Sequence, residues 1–158
     1  MKFKKQIKNL LIVLISTLAL SACSTAKKTG SVGGDVYTGN DTVKFLASGV
    51  KDRVFFATNS SSLTTASRDT LRKQASYMRK NKKLNVVLEG HADERGTREY
   101  NLALGEKRAN SAKDYLMTYG ISGKRISVIS YGKEKPVNPG STPLAWSQNR
   151  RSVTIKAN

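Results

Sequence analysis

The run VVLEGHADERGTREYNLALGEKRANSAKDYL, residues 86–116, changes its period twice within one uninterrupted segment. Its beginning belongs to LNVVLE, residues 84–89, a β-rich run that reads as a strand. The next residues are polar and contain two glycines, and from about Glu99 to Tyr119 the apolar positions follow helical spacing. That helix should stop at Gly120, the residue best suited to a left-handed C-terminal cap. A strand, a charged turn and a long helix therefore form the unit around which the remaining elements must be arranged.

Toward the N-terminus, RVFFA (53–57) reads as a short strand, followed by the polar turn TNSSSL (58–63). A helix from about Thr65 to Lys80 comes next, with Leu71, Ala75 and Met78 spaced 0, 4 and 7 along one face. Toward the C-terminus, RISVISY (125–131) and SVTIK (152–156) read as two further strands. The stretch between them carries three prolines and predicts a long loop, with a short helical turn at Leu144 to Gln148. The order βαβαβ-loop-β predicts an α+β fold, a two-layer sandwich in which helices cover a mixed four-stranded sheet.

The first 22 residues have a different character. Lys2, Lys4, Lys5 and Lys8 precede LLIVLISTLAL (10–20), an apolar run too short for the roughly 20 residues of a spanning helix, which reads as an export signal. It ends in LSAC (20–23), which resembles a lipobox, with lipid carried on the Cys23 thiol and cleavage just before it. Residues 23–49 are rich in Ser, Thr, Gly and Asn with no sustained period and predict a lipidated N-terminus on a mostly disordered tether. Such a tether has a coil dimension of roughly 30 Å and a full reach of roughly 90 Å. Residues 50–158 then form the single domain.

The formal charge of the 158-residue chain is +17. Four lysines and no acid lie in residues 1–22, so the remainder keeps 24 basic against 11 acidic residues and stays strongly basic. For an exported protein this suits acidic wall polymer or an anionic membrane surface rather than nucleic acid, or equally a surface whose scattered lysines serve only solubility. A single cysteine excludes an internal disulfide.

The stretch EGHADERGT (89–97) places the only histidine, His91, beside Glu89, Asp93, Glu94 and Arg95. One histidine with one or two carboxylates is too few for a zinc site, and no calcium loop pattern is present. Paired carboxylates could in principle cut a glycan, but neither their spacing nor a GxSxG turn singles out a catalytic group, so no enzyme, metal or cofactor is expected. On the long helix Asn101, Arg108 and Tyr115 recur every seven residues near Leu104, beside an apolar stripe of Leu102, Gly105, Ala109, Ala112 and Leu116. Arg108 thus lies on the shoulder of the buried face. There its planar fork needs a carboxylate, either Asp93 or one brought by a ligand.

Residues 86–116, together with SYGKEKP (130–136) and NRR (149–151), are very similar to the OmpA-like peptidoglycan-binding domain family. With the lipobox and tether, the whole chain resembles the lipid-anchored branch of that family that works with the Tol envelope-constriction machinery. The resemblance implies an outer-membrane location, an address with which Ser24 agrees. It also implies non-covalent binding of the peptidoglycan stem peptide at meso-diaminopimelate, with Asp93 taking the ligand's ammonium and Arg108 its carboxylate. An internal Asp93–Arg108 salt bridge would then be the resting state of an empty site. The matching positions Thr97, Asn101 and Leu104 would line the pocket, Thr97 by hydrogen bonding and Leu104 by apolar contact. Phe56 and Asn59 would contribute through a pattern resembling F-x-x-[DN], in which relatives often carry aspartate where this chain has Asn59. His91 is expected to support the pocket, Asn149 and Arg151 to order the last strand, and Trp146 to pack. The implied protein partners are periplasmic TolB and the TolA arm.

Overall fold

A computed structural model of the chain describes residues 35–157. The expected leader, Cys23 and Ser24 lie outside the described residues. The elements run β1 (Phe45–Ala47), β2 (Val50–Lys51), β3 (Arg53–Phe55), α1 (Thr65–Lys80), β4 (Val86–His91), α2 (Arg98–Thr118), β5 (Ile126–Gly132), α3 (Pro143–Asn149) and β6 (Arg151–Lys156), with a 3-10 turn at Gly123–Arg125.

Four strands form a mixed sheet in the order β3-β6-β4-β5. β4 and β5 are parallel, Val86 opposite Ile126, because the 21-residue helix α2 carries the chain back across the sheet between them. β6 enters antiparallel to both β4 and β3, pairing Gly90 with Ser152 and Phe55 with Arg151. The expected α+β sandwich is the architecture observed.

Strand alternation sends Val86 and Leu88 toward the helices. There they join Val54, Phe56, Ile126, Leu71, Ala75 and Met78 of α1, and Ala109, Ala112 and Leu116 of α2, in one core. Full burial of each large apolar side chain stabilises by roughly 1.5–3 kcal/mol. Thr64, Thr97 and Thr142 cap the three helices, each accepting from the backbone N–H three residues on. α2 ends as expected: Gly120 adopts φ +80°, and Ile121 N–H returns to the Leu116 carbonyl.

Three expectations are corrected. Residues 35–49, assigned to the tether, are packed: β1 and β2 form a hairpin, Leu46 is buried, and Tyr37 is buried edge-on against Phe55, with ring centroids 4.8 Å apart. Their low hydrophobicity concealed that two well-placed apolar side chains are enough to anchor such a segment. Leu102 lies on the exposed side of α2, 42% accessible, so the buried stripe begins at Gly105. The third strand begins at Ile126 because Arg125 is spent on the end of α1, donating to the carbonyls of Met78, Asn81 and Leu84.

What sets the depth of α2 against the sheet is a pair of glycines. A methyl group on Gly90 would sit 1.8 Å from the Gly105 carbonyl oxygen, and one on Gly105 would meet Ser130 Oγ at 2.4 Å. The backbones of β4 and α2 therefore touch, which brings the next turn of the helix, and with it Arg108, under the loop that follows β4. Gly90→Ala should force the helix outward and cost about 1–3 kcal/mol, read as a lowered urea midpoint at unchanged slope.

Candidate functional site

Two loops and one helix meet at the C-terminal end of β4. The loop after β3 supplies Thr58 and Asn59; the loop after β4 supplies Asp93, Arg95 and Gly96; α2 supplies Tyr100, Asn101, Leu104 and Arg108. Together they line a cavity of about 290 Å³. Of the residues expected at the site, Asp93, Arg108, Asn101, Leu104 and Asn59 are brought together here.

Arg108 is fully buried. Its Nε donates to the Ser60 carbonyl at 2.8 Å, Nη1 to His91 O at 2.8 Å and Nη2 to Ala57 O at 3.0 Å, and the guanidinium faces the Phe56 ring at 5.4 Å. Three of its five N–H groups are thereby committed to backbone. The expected ion pair with Asp93 is not formed: among the described residues no carboxylate lies within 4.0 Å of Arg108. Burial, and then the like charge of Arg150, lower its pKa to about 10, partly offset by Asp93. The site thus holds a cation in low dielectric whose partners are all neutral.

Asp93 is paired elsewhere. Its carboxylate accepts from Arg95 N–H and Nε, both at 3.1 Å, from Arg95 Nη2 at 2.6 Å and from Arg150 Nη1 at 3.2 Å. Burial pushes its pKa up, but the hydrogen bonds from Arg95 and Arg150 outweigh this and hold it below the usual carboxylate value. Arg150 is 2% exposed, and the sequence reading assigned it no role. It also donates to Phe56 O and to the carboxylate of Asp35. No local signal marks it, because its partners Phe56, Asp93 and Asp35 are all distant in sequence.

The remaining expected residues have distinct places. Phe56 is fully buried; its N–H donates to the Arg150 carbonyl and its carbonyl accepts from Arg150 Nε. Asn59 adopts φ +51°, a left-handed conformation that Asn tolerates, and its Oδ1 accepts from the Tyr100 hydroxyl. Asn101 donates to the Arg95 carbonyl at 2.8 Å, which shapes the loop. Thr97 does not line the cavity; its hydroxyl is used to cap α2. Asn149 orders the proline loop through the N–H groups of Val137 and Asn138, and Arg151 is buried, donating to the carbonyls of Asn149 and Lys135. Trp146 does more than pack: its indole N–H donates to Glu94 at 2.8 Å and its ring lies 4.3 Å from the Arg95 guanidinium. Glu94 and Arg95 are both held to α3 in this way. Among the described residues no cluster of three metal-ligating side chains occurs.

An α+β sandwich with fixed charges of both signs around a small cavity has the build of a binding module. The OmpA family pattern matches residues 55–150, and the chain belongs to the OmpA family. The peptidoglycan-associated lipoprotein of Rhizobium meliloti (strain 1021) is 44% identical over 151 residues, covering 92% of this chain and 85% of its own length. That of Pseudomonas aeruginosa is 58% identical over 66 residues, 42% of this chain and 39% of its own. The crystal structure of the peptidoglycan-associated lipoprotein from Burkholderia pseudomallei superposes with a TM-score of 0.66 at 36% identity, covering 68% of this chain and 91% of that one. The C-terminal domain of Helicobacter pylori MotB shares the fold, with a TM-score of 0.63 at 20% identity.

His91 lends the site its carbonyl, while its ring points to the other side of the sheet, stacked on Tyr131 at 5.6 Å. Burial, then the charges of Arg151, Arg53 and Lys135, push its pKa down to about 3, only partly offset by the Lys135 backbone. The folded state keeps the ring neutral, whereas the unfolded chain takes up a proton near pH 6.5. Stability should therefore be full above that value and decline as the pH falls from 6.5 toward 3. Between pH 7 and pH 5 the wild type should lose about 2 kcal/mol more than His91→Gln, measured by urea unfolding. Asp93 contributes only at lower pH, since its unfolded value is 3.8.

Proposed function

We propose that the chain is a non-enzymatic lipoprotein that anchors the outer membrane to the cell wall by gripping the meso-diaminopimelate residue of the stem peptide. In this reading residues 1–22 are a cleaved leader, Cys23 carries the acyl chains, and residues beyond it lead to the binding domain. Each buried methylene of an acyl chain adds about 0.8 kcal/mol, so multiple chains hold essentially irreversibly. Among the described residues no helix is long and apolar enough to cross a membrane. The names of the similar lipoproteins support both the wall association and the lipid anchor.

The observation that carries the reading is Arg108, a buried cation with only carbonyl partners, on the wall of a cavity that Asp93 also lines. Diaminopimelate offers a carboxylate and an ammonium on one carbon, charges that match these two groups. In the empty site Arg95 occupies Asp93 with a guanidinium that is 41% exposed, free to swing aside when the ligand's ammonium arrives. Asn101 and Leu104 then give the ligand a polar and an apolar wall. One weak contact per molecule, repeated over many anchored copies, tethers membrane to wall by avidity. TolB, competing for this surface, and the TolA arm are the protein partners that the family resemblance supports.

Asp93→Asn and Arg108→Met should each reduce co-sedimentation with diaminopimelate-type peptidoglycan at least tenfold. Asp93→Asn should retain a native circular dichroism spectrum, whereas Arg108→Met, which strands three buried carbonyls, should also cost about 2–4 kcal/mol of stability. Wild-type binding in both variants would exclude this site.

A further inference from the structure

The segment before β1 ends against the mouth of the cavity. Asp35, 115 residues from Arg150 in sequence, accepts from Arg150 Nη2 at 2.9 Å and from the Thr58 hydroxyl at 2.9 Å, and also takes the Thr58 backbone N–H. Two residues on, Tyr37 is lodged 3% exposed against Phe55. The Thr58 hydroxyl in turn accepts from Arg95 Nη2 at 3.2 Å. A closed ring of contacts results, running from Asp93 to Arg95, Thr58, Asp35, Arg150 and back to Asp93.

The ring contains two charges of this chain's own at the edge of the proposed binding site. Arg95 is the cation on Asp93. Asp35 is a carboxylate on two donors of Thr58, a residue that lines the cavity, and on a guanidinium that also binds Asp93. We infer that Asp35 is a built-in competitor: the segment around it is a strap whose carboxylate occupies donors at the cavity rim, on Thr58 and Arg150, that a second carboxylate of the stem peptide, beyond the one received by Arg108, must take over. Tyr37 anchors the strap, so a displaced Asp35 stays near and returns at high effective concentration. Burial raises the Asp35 pKa, yet the Thr58 hydrogen bonds and the charge of Arg150 pull it below 3.8, so near neutral pH the competitor is always charged. Its side chain is 51% exposed, which leaves it free to depart, and the segment leads directly to the N-terminal part of the chain.

This inference rests on the stem-peptide reading above. If the strap is closed about nine-tenths of the time, apparent affinity is about tenfold below that of the open site. The test is calorimetric titration of the full-length chain with the tripeptide L-Ala-γ-D-Glu-meso-diaminopimelate. Asp35→Asn, which keeps the side chain's shape, and Asp35→Ala should each bind about three- to tenfold tighter than wild type. Coupling is reciprocal, so saturating tripeptide should speed amide exchange at residues 35–37 of the wild-type chain by the same factor. Equal or weaker binding by the variants, or exchange at 35–37 that is unchanged or slowed by the tripeptide, overturns the inference and leaves the stem-peptide reading intact. Absence of tripeptide binding by wild type and variants alike overturns that reading, and this inference with it.

Discussion

Everything at the loop end of this domain is organised around one buried guanidinium. Arg108 ties the carbonyls of Ala57, Ser60 and His91 to α2, so a single side chain holds the turn after β3, the end of β4 and the long helix in one geometry. A charge removed from water is costly unless its donors find partners, and three carbonyl oxygens provide them without cancelling the charge. A carboxylate partner would have made a quieter interior. Carbonyls keep the cation fixed in place with no anion to cancel it, as the proposed carboxylate subsite would require.

That arrangement depends on how closely helix and strand can approach. The contact between Gly90 and Gly105 lets α2 lie directly on β4, and Arg108, one turn along, reaches the His91 carbonyl only because of it. The next layer out is ionic. Arg150 joins Asp93 to the Phe56 carbonyl, and Glu94 joins Trp146 and Ser141 to the loop after β4. The charged loop is therefore immobilised from the side of α3 and β6 as well as from α2. Rigidity of this kind lets a small cavity discriminate, because a ligand need not order the groups that receive it.

Apart from Arg108, the charges around the site are paired within the chain. Arg95 on Asp93 and Asp35 on Thr58 and Arg150 are partly exposed groups placed on buried ones, so each can leave while its partner stays. In the proposed binding mode, internal ion pairs are exchanged for external ones at nearly constant desolvation. Such an exchange would keep the proposed interaction reversible, which suits the proposed tether working through many copies.

The order of the four sheet strands and the two long helices was legible from period, since burial on one face imposes alternation in LNVVLE and helical spacing on Leu71, Ala75 and Met78, whereas the β1–β2 hairpin was not. The helix end at Gly120 was legible from local backbone chemistry, and Asp93 and Arg108 stood out as opposite charges beside a buried face. The pairing of those charges was not legible. Whether Arg108 meets a carboxylate or three carbonyls depends on where the 57–60 turn lies, a contact about fifty residues away in sequence. Asp35 and Arg150 escaped for the same reason, since their partners are brought to them only by the closing of the sheet between β3 and β6. Local periodicity records which face of an element is buried, and so determined the elements and the fold class. Which polar groups share a buried space is decided by long-range packing, on which a single sequence is silent until the chain has folded.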